Sequence, residues 1–219
     1  MKRLMFMLTA FLLMFVVVND VSAAENRVTD AKVRIVHASP DAPAVDVYVD
    51  GTAVVQDAEF KDATDYLPLK AGEYKVEIYP AGKKDKAVLS QQVGVEAGKA
   101  YTVAAANKLA NLELVIAEDS TEPVEGKAKV RVGHLSPDAP TVDVGLKGGD
   151  ALFTGASFKG ITDYKEVDPG TYDLEIRTPD GKKVLDLTGT KLEADTVYSV
   201  FAVNTVNKLE VILLIDSEK

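Results

Sequence analysis

The chain has 219 residues, of which 27% are charged and 47% hydrophobic, with a formal net charge of −9 and no cysteine. The lack of cysteine excludes disulfides and a lipid anchor on cysteine, so each domain depends on its apolar core. The acidic balance argues against nucleic acid as a partner, and no sequence motif typical of a cofactor site occurs.

The N-terminal residues have the pattern of a secretory signal peptide. Two basic residues precede a run of about 15 apolar residues at 4–18, shorter than the roughly 20 that span a membrane. Small residues at 21–23 then form a cleavage site. We expect cleavage after Ala23 or Ala24 and a secreted or surface-associated protein with no stable membrane insertion afterwards.

Two copies of one motif divide the rest of the chain. HASPDAP stands at 37–43 and HLSPDAP at 134–140, each headed by one of the two histidines, 97 residues apart. The flanking residues keep nearly the same offset, which indicates a tandem duplication. The predicted organisation is a signal peptide at 1–23, an N-terminal tail at 24–30, repeats at 31–117 and 128–219, and a polar linker at 118–127.

Each copy shows the alternation of polar and apolar residues that is typical of β-strands, as at 32–35, 45–49 and 74–79. Residues 100–106 are almost continuously apolar, which indicates a strand covered on both faces. About seven strands per copy predict two tandem immunoglobulin-like β-sandwich domains, with small Greek-key or up-and-down barrels as the alternative. The repeated Gly-x-Tyr triplets predict two core or corner tyrosines, Tyr74 and Tyr172.

The first strand of each copy orients its histidine. Side chains alternate across a strand, so Lys32 and Arg34 are expected to face solvent while His37 faces the core at the strand's end. Residues 39–41, Ser-Pro-Asp, predict a turn because proline cannot donate a hydrogen bond within a sheet. The second copy repeats this arrangement.

The polar residues of the repeated motif are the candidate functional residues. In a structural role, each histidine closes the end of a sandwich and bonds a turn carboxylate or a backbone group. In a ligand or metal site, one imidazole and nearby carboxylates would hold a divalent ion, although zinc and calcium spacings are absent. A hydrolase lacks a recognisable nucleophile elbow. The residues that the sequence assigns to either a structural role or a ligand-binding role are His37, Ser39, Asp41, Asp46, His134, Ser136, Asp138 and Asp143.

The motif His-x-Ser-Pro-Asp-Ala-Pro-x-Val-Asp-Val, followed by Thr-Asp-Tyr and Gly-x-Tyr, resembles the bacterial family called domain of unknown function 4397. The match falls at 37–47 and 134–144, and the likeness covers essentially 31–219. The family pattern continues with a tyrosine that is present as Tyr48 but replaced by Gly145 in the second copy. The resemblance implies an exported bacterial protein with paired β-sandwiches and brings no known activity, cofactor or catalytic residue.

These features favour a secreted or cell-surface protein without enzymatic activity or cofactor, acting in adhesion, matrix or surface association, or ligand binding. Its partner would be an extracellular or envelope protein or glycan. The alternative is a metal-dependent binding protein or a hydrolase that uses the His/Asp cluster of each repeat.

The signal-peptide hypothesis predicts the N-terminus of the exported chain. Edman sequencing or intact mass of the protein recovered from culture medium or cell surface should place the first residue at Ala24 or Glu25. A chain that retains residues 1–23 would contradict the predicted cleavage.

Overall fold

The computed structural model describes residues 30–217, so the predicted signal peptide lies outside the described residues. Within this range the chain is almost entirely β, with sixteen strands and two short 3-10 turns. Between residues 30 and 217 there is no helix of the length and apolarity needed to cross a bilayer.

The first repeat folds into eight strands: β1 (Ala31–His37), β2 (Val45–Val49), β3 (Thr52–Ala58), β4 (Leu67–Leu69), β5 (Gly72–Pro80), β6 (Leu89–Val95), β7 (Ala100–Ala106) and β8 (Glu113–Asp119). The second repeat contains β9 (Ala128–His134), β10 (Val142–Leu146), β11 (Ala151–Ala156), β12 (Lys165–Val167), β13 (Gly170–Arg177), β14 (Lys183–Leu192), β15 (Thr196–Val203) and β16 (Glu210–Ile215). The 3-10 turns, Leu109–Asn111 and Val206–Lys208, precede the last strand of each repeat.

Each repeat is a sandwich of two four-stranded sheets, which confirms the predicted fold class. In the first repeat a sheet of order β4-β1-β7-β8 faces one of order β3-β2-β5-β6, and the second repeat has the same arrangement. β1 pairs with β7 in parallel, as β9 does with β15. The strand count exceeds the predicted seven because each repeat also has a very short strand, β4 or β12. The strand predicted to be covered on both faces is β7, which is buried along its whole length.

The two Gly-x-Tyr tyrosines form corners, as predicted. Tyr74 donates its hydroxyl hydrogen to the carbonyl oxygen of Lys70 at 2.8 Å, and Tyr172 donates to that of Asp168 at 2.7 Å. A tyrosine that bonds the backbone a few residues upstream is a hallmark of immunoglobulin-like sandwiches.

The two sandwiches pack against each other, which overturns the expected solvent exposure of the first strand. Arg34 is only 3% exposed and Val36 is fully buried, because the outer face of the β1 sheet lies on the outer face of the β9 sheet. The molecule is therefore four sheets deep. β8 continues through Asp119, so residues 118 and 119 belong to a strand and not to the linker predicted at 118–127.

The apolar part of this interface joins small side chains of the first repeat to large ones of the second. Ala104 stands at the position equivalent to Phe201, and Ala38 at that of Leu135; all four are buried in one cluster. Gly133 leaves room for the Phe201 ring, since a Cβ there would lie 2.3 Å from its Cδ1. The two faces are thus complementary in shape because equivalent positions carry side chains of different size.

The polar part of the interface exchanges charged groups between the repeats. The guanidinium of Arg34 donates to Asp216 Oδ1 at 2.5 Å and to the carbonyl oxygen of Ile215 at 3.0 Å, both in the second repeat. It also donates to Thr102 Oγ1 of its own repeat at 2.8 Å. Asp216 is fully buried and accepts a further hydrogen bond from Ser199 at 2.6 Å.

The reciprocal contacts start from Arg131, at the position equivalent to Arg34. Its guanidinium donates to Asp119 and to the carbonyl oxygen of Glu118 in the first repeat, the latter at 2.7 Å. Asp119 also accepts from Thr102 at 2.6 Å. We call the four charged residues Arg34, Asp216, Arg131 and Asp119 the arginine–aspartate exchange.

Two tyrosines complete the exchange. Tyr66 donates to Asp119 at 2.6 Å and Tyr164 donates to Asp216 at 2.8 Å. The guanidinium carbon of Arg34 lies 4.8 Å from the Tyr66 ring centre, and that of Arg131 lies 4.7 Å from the ring centre of Tyr164. Burial, and to a smaller extent the neighbouring carboxylates, raises the pKa of each tyrosine well above the usual value. Both hydroxyl groups therefore stay protonated and remain donors.

Removing one cation from the exchange should destabilise the whole chain. Arg34→Met leaves the buried Asp216 carboxylate without its counter-ion, and we expect a loss of about 3–5 kcal/mol in the free energy of unfolding. Urea unfolding followed by circular dichroism checks this. Lys191→Met, which removes an exposed ion pair, is the control and should leave the midpoint nearly unchanged. A loss below about 1 kcal/mol for Arg34→Met would contradict the proposed dependence.

Candidate functional site

The repeated histidines lie at the ends of β1 and β9, facing inward as expected. His37 is 2% exposed and His134 is 1% exposed. Nε2 of His37 lies 3.2 Å from the carbonyl oxygen of Pro43, and that of His134 lies 3.0 Å from Pro140. Because a carbonyl only accepts, Nε2 carries the hydrogen and each histidine ties the strand end to the end of its own motif.

The second histidine is held in its neutral form. Its Nδ1 accepts a hydrogen bond from the backbone N–H of Ser136 at 3.3 Å, which requires that nitrogen to be unprotonated. Burial lowers the pKa of His134 below its usual value, more strongly than the hydrogen bond to Pro140 raises it.

The serines of the motif are fully buried in the same turns. The side-chain oxygens of Ser39 and Ser136 have no hydrogen-bond partner among the described residues. His37 borders a cavity of about 250 Å3, but Ser39 does not line that cavity. A serine enclosed in a turn, away from the open space, is poorly placed to attack a substrate.

The motif's first aspartate fastens the turn to the 3-10 segment before the last strand. Asp41 Oδ1 accepts from the backbone N–H of Leu109 at 2.7 Å, and Asp138 Oδ1 accepts from that of Val206 at 2.8 Å. Each carboxylate thus caps the first N–H of a 3-10 turn, one of the groups that such a turn leaves unsatisfied.

The second aspartate of the motif holds a bulge in the neighbouring strand. Asp46 accepts from the backbone N–H groups of Asp57 and Gly82, both at 2.9 Å. Asp143 accepts from that of Gly155 at 2.8 Å. Asp57 and Gly155 have φ of 56° and 71°, so each carboxylate stabilises a residue in the left-handed region where the strand bulges.

The structure therefore does not bring the candidate residues into one cluster. The carboxylates of Asp41 and Asp46 bond to different backbone segments, and neither lines the cavity beside His37. Among residues 30–217 no group of three histidine, aspartate or glutamate side chains is placed to hold a metal ion. The geometry gives the motif a role in joining turns, strands and bulges within each repeat.

Sequence reasoning missed the arginine–aspartate exchange. Its signal was present: Asp119 and Asp216 are 97 residues apart, as are Arg34 and Arg131. A charged residue that both copies place between apolar neighbours fits a buried face as well as a solvent-exposed one. Here the face is buried because the other repeat packs on it.

The chain matches the family model described as "Domain of unknown function (DUF4397)" over residues 31–145 and 146–219. It belongs to this family. The division at 145 falls inside β10, so the first match spans the whole first sandwich and the start of the second. No curated protein is detectably similar to the chain in sequence.

Two solved structures are similar to parts of this family member at low identity. The C-terminal domain of AlgF from P. aeruginosa is 21% identical, covers 42% of this chain and 99% of its own, and superposes with a TM-score of 0.35. A Bacteroides fragilis protein, described provisionally as a cell adhesion protein, is 12% identical, with 86% and 98% coverage and a TM-score of 0.21. At these scores neither neighbour informs the function of the chain.

The lowered pKa of His134 predicts a pH dependence of stability. The unfolded chain takes up a proton on His134 near pH 6.5, whereas the folded chain does so only at lower pH. The contribution of neutral His134 to the free energy of unfolding is therefore complete above pH 6.5 and is lost as the pH falls from there to the folded pKa. The loss should approach about 1.4 kcal/mol per pH unit below the unfolded pKa.

The comparison of urea unfolding between the natural chain and His134→Gln from pH 7.5 to 5.5 isolates this effect. The difference in unfolding free energy between the two chains should shrink as the pH falls. A constant difference would mean that His134 titrates equally in both states.

Proposed function

We propose that this protein is a non-enzymatic binding protein of the cell exterior, acting in adhesion or matrix association through the outer sheets of two sandwiches locked into one body. The observation that carries this proposal is the use of the motif's polar groups. The histidines and aspartates repeated in both copies bond to the protein's own backbone, which leaves a scaffold rather than a reacting centre.

The packing of the repeats supports bridging between two partners. The sheets containing β1 and β9 are stacked in the middle, so the sheets containing β2 and β10 form opposite outer faces. Equivalent outer faces that point away from each other cannot both engage one flat surface. They are suited to joining two partners, whereas two freely swinging modules would gain avidity for one.

The outer face of the first sandwich carries a half-buried tyrosine, Tyr48, and an exposed lysine, Lys84, packed around Tyr79, which is 8% exposed. Tyr48 and Tyr79 meet edge to face with ring centres 5.3 Å apart, and the Lys84 ammonium lies 4.0 Å above the Tyr48 ring centre. Aromatic rings beside charged groups are common in protein and glycan contacts. At these two positions the second sandwich has Gly145 and Arg177, so the two outer faces differ chemically.

The proposal predicts saturable binding of the mature chain to envelope fragments of the producing bacterium. With a fluorescent label on the protein, binding should be competed by unlabelled protein, and Tyr48→Ala should weaken it at least several-fold without changing the unfolding midpoint. Lys127→Ala, which removes an exposed ion pair in the connection between the sandwiches and lies on neither outer face, is the control and should leave this interaction intact. Bridging should also make the fragments aggregate at intermediate protein concentrations and disperse in excess protein.

Other outcomes would favour the alternative class. Binding that disappears with EDTA, or a thermal midpoint that rises with one divalent ion, would support a metal-dependent protein. Hydrolysis of a chromogenic ester or glycoside that is lost in a folded His37→Gln chain would support an enzyme. Either result would overturn the proposal.

A further inference from the structure

The second sandwich contains an open space between its sheets that is larger than the spaces found in the first. The cavity measures about 500 Å3 in the second repeat, against about 30 Å3 for the equivalent space of the first and about 250 Å3 for the separate cavity beside His37. Its lining comes from all eight strands of the second repeat, β9 to β16. It therefore extends through the sandwich from one side to the other, and we call it the slot.

Side chains change size in both directions between the two linings: Phe153, Leu174 and Leu192 of the slot replace Val55, Val76 and Val95, whereas three other positions become smaller. At equivalent positions the first sandwich has Ile35, Leu69 and Leu114, all packed on its core. The second has valines there, Val132, Val167 and Val211, each lining the slot. A fourth position, opposite the corner tyrosine, changes from buried Val93 to half-buried Thr190.

A bulge in the edge strand accounts for further space. The pairing of β13 with β14 shifts between Tyr172 and Leu174, where Gly189 of β14 takes a φ of 73°. The corresponding pair in the first repeat, β5 and β6, continues without a shift. Bulges bend a strand away from its partner sheet and are frequent beside binding sites.

Exposed apolar side chains mark the mouth of the slot, between β14 and β16. Leu213 lines the slot and is 47% exposed, and Ile215, two residues further on the same strand, is 49% exposed. In the first repeat the position of Leu213 is Ile116, which is 39% exposed, and the position of Ile215 is Glu118. Large apolar side chains beside an unfilled apolar cavity are the arrangement of a ligand pocket, and the volume lies within the usual range of roughly 300–1,000 Å3.

The side chains that line the slot and surround its mouth indicate which class of ligand fits it. The inner lining is aliphatic apart from Phe153, and polar side chains occur only along β14. Around that strand, Lys147, Lys183 and Lys191 pair with Asp186 and Glu193, and Asp173 accepts from the backbone N–H of Gly189 in the bulge, so the charges balance. A slender apolar chain with a polar end fits a slot that is polar only along β14.

We infer that the slot of the second sandwich binds a long acyl chain, with the carboxylate or head group at the β14 edge. The first sandwich, whose equivalent space measures only about 30 Å3, does not take part. The acyl chain belongs either to a free fatty acid or to a membrane lipid, and these two sources are distinguished by which competitor displaces a bound probe.

Titration of the mature chain with cis-parinaric acid, a fluorescent fatty acid, tests the inference. Saturable binding with one site per chain, displaced by oleate and accompanied by a rise in the unfolding midpoint, is expected. Displacement by phosphatidylcholine vesicles as well as by oleate would assign the source to membrane lipid, and displacement by oleate alone would assign it to free fatty acid.

Variants locate the site. Thr190→Phe places a ring at the slot and should weaken binding at least tenfold. Ser90→Phe, on the exposed face of the equivalent edge strand of the first repeat, is the matched control and should bind normally. If Thr190→Phe does not fold, the triple variant Val132→Ile, Val167→Leu, Val211→Leu, which installs the side chains of the first repeat, should weaken binding and raise the unfolding midpoint.

Three results would overturn the inference. The first is no saturable binding of the probe. The second is equal binding by the natural chain and the folded slot variants, which would place the probe on the surface. The third is equal weakening by Thr190→Phe and Ser90→Phe. Envelope binding under the proposed function is measured separately and depends on Tyr48, so either idea can fail alone.

Discussion

Two arginines that each reach the aspartate of the opposite repeat govern the arrangement of this molecule. Removing four charges from water costs several kcal/mol per ion, and the cost is offset only where every charge is closely paired and hydrogen-bonded. Here the pairing crosses between the repeats: Arg34 meets Asp216, and Arg131 meets Asp119. Arg34 also lies 3.7 Å from Asp119, so the four charges form one buried group. The two sandwiches consequently behave as one body, and the short connection between them has no freedom to act as a hinge.

Duplication has left the two repeats with one topology and different packing. At their shared interface the first repeat contributes alanines where the second contributes Phe201 and Leu135, and this asymmetry favours pairing of unlike repeats over pairing of like ones. Inside the sandwiches side chains differ in both directions, with smaller ones at Val132, Val167 and Val211 and larger ones at Phe153, Leu174 and Leu192 of the second repeat. The interface between the repeats must exclude water, so its two faces remain closely complementary. The space between the sheets of one sandwich can open into a pocket because the other sandwich, packed against it, contributes to the stability of the whole chain.

The HxSPDAPxVDV motif shows how a repeated polar pattern can support the structure of each repeat. Its histidine, first aspartate and second aspartate each satisfy backbone groups at a strand end, a 3-10 turn and a bulge. Those groups are buried or strained, and buried backbone N–H and C=O groups require partners. The motif drew attention as a possible site because it contains histidine, serine and aspartate. Its side chains diverge, however, and a reacting centre needs them to converge.

Motifs repeated at a nearly constant offset determined the duplication. Strand alternation and turn residues determined the all-β class, the inward orientation of His37 and the corner tyrosines, because these depend on local periodicity and short-range hydrogen bonds. Local periodicity also indicated that Arg34 lies on the face opposite the core, but it could not tell whether that face meets water or protein. The tertiary structure decided this, since Asp216, which pairs with Arg34, comes from the other end of the chain. The slot was likewise decided in three dimensions. A valine in place of a leucine, or a bulge in an edge strand, is ordinary in any sheet, and only the way the two sheets meet decides whether a space large enough for a ligand opens between them.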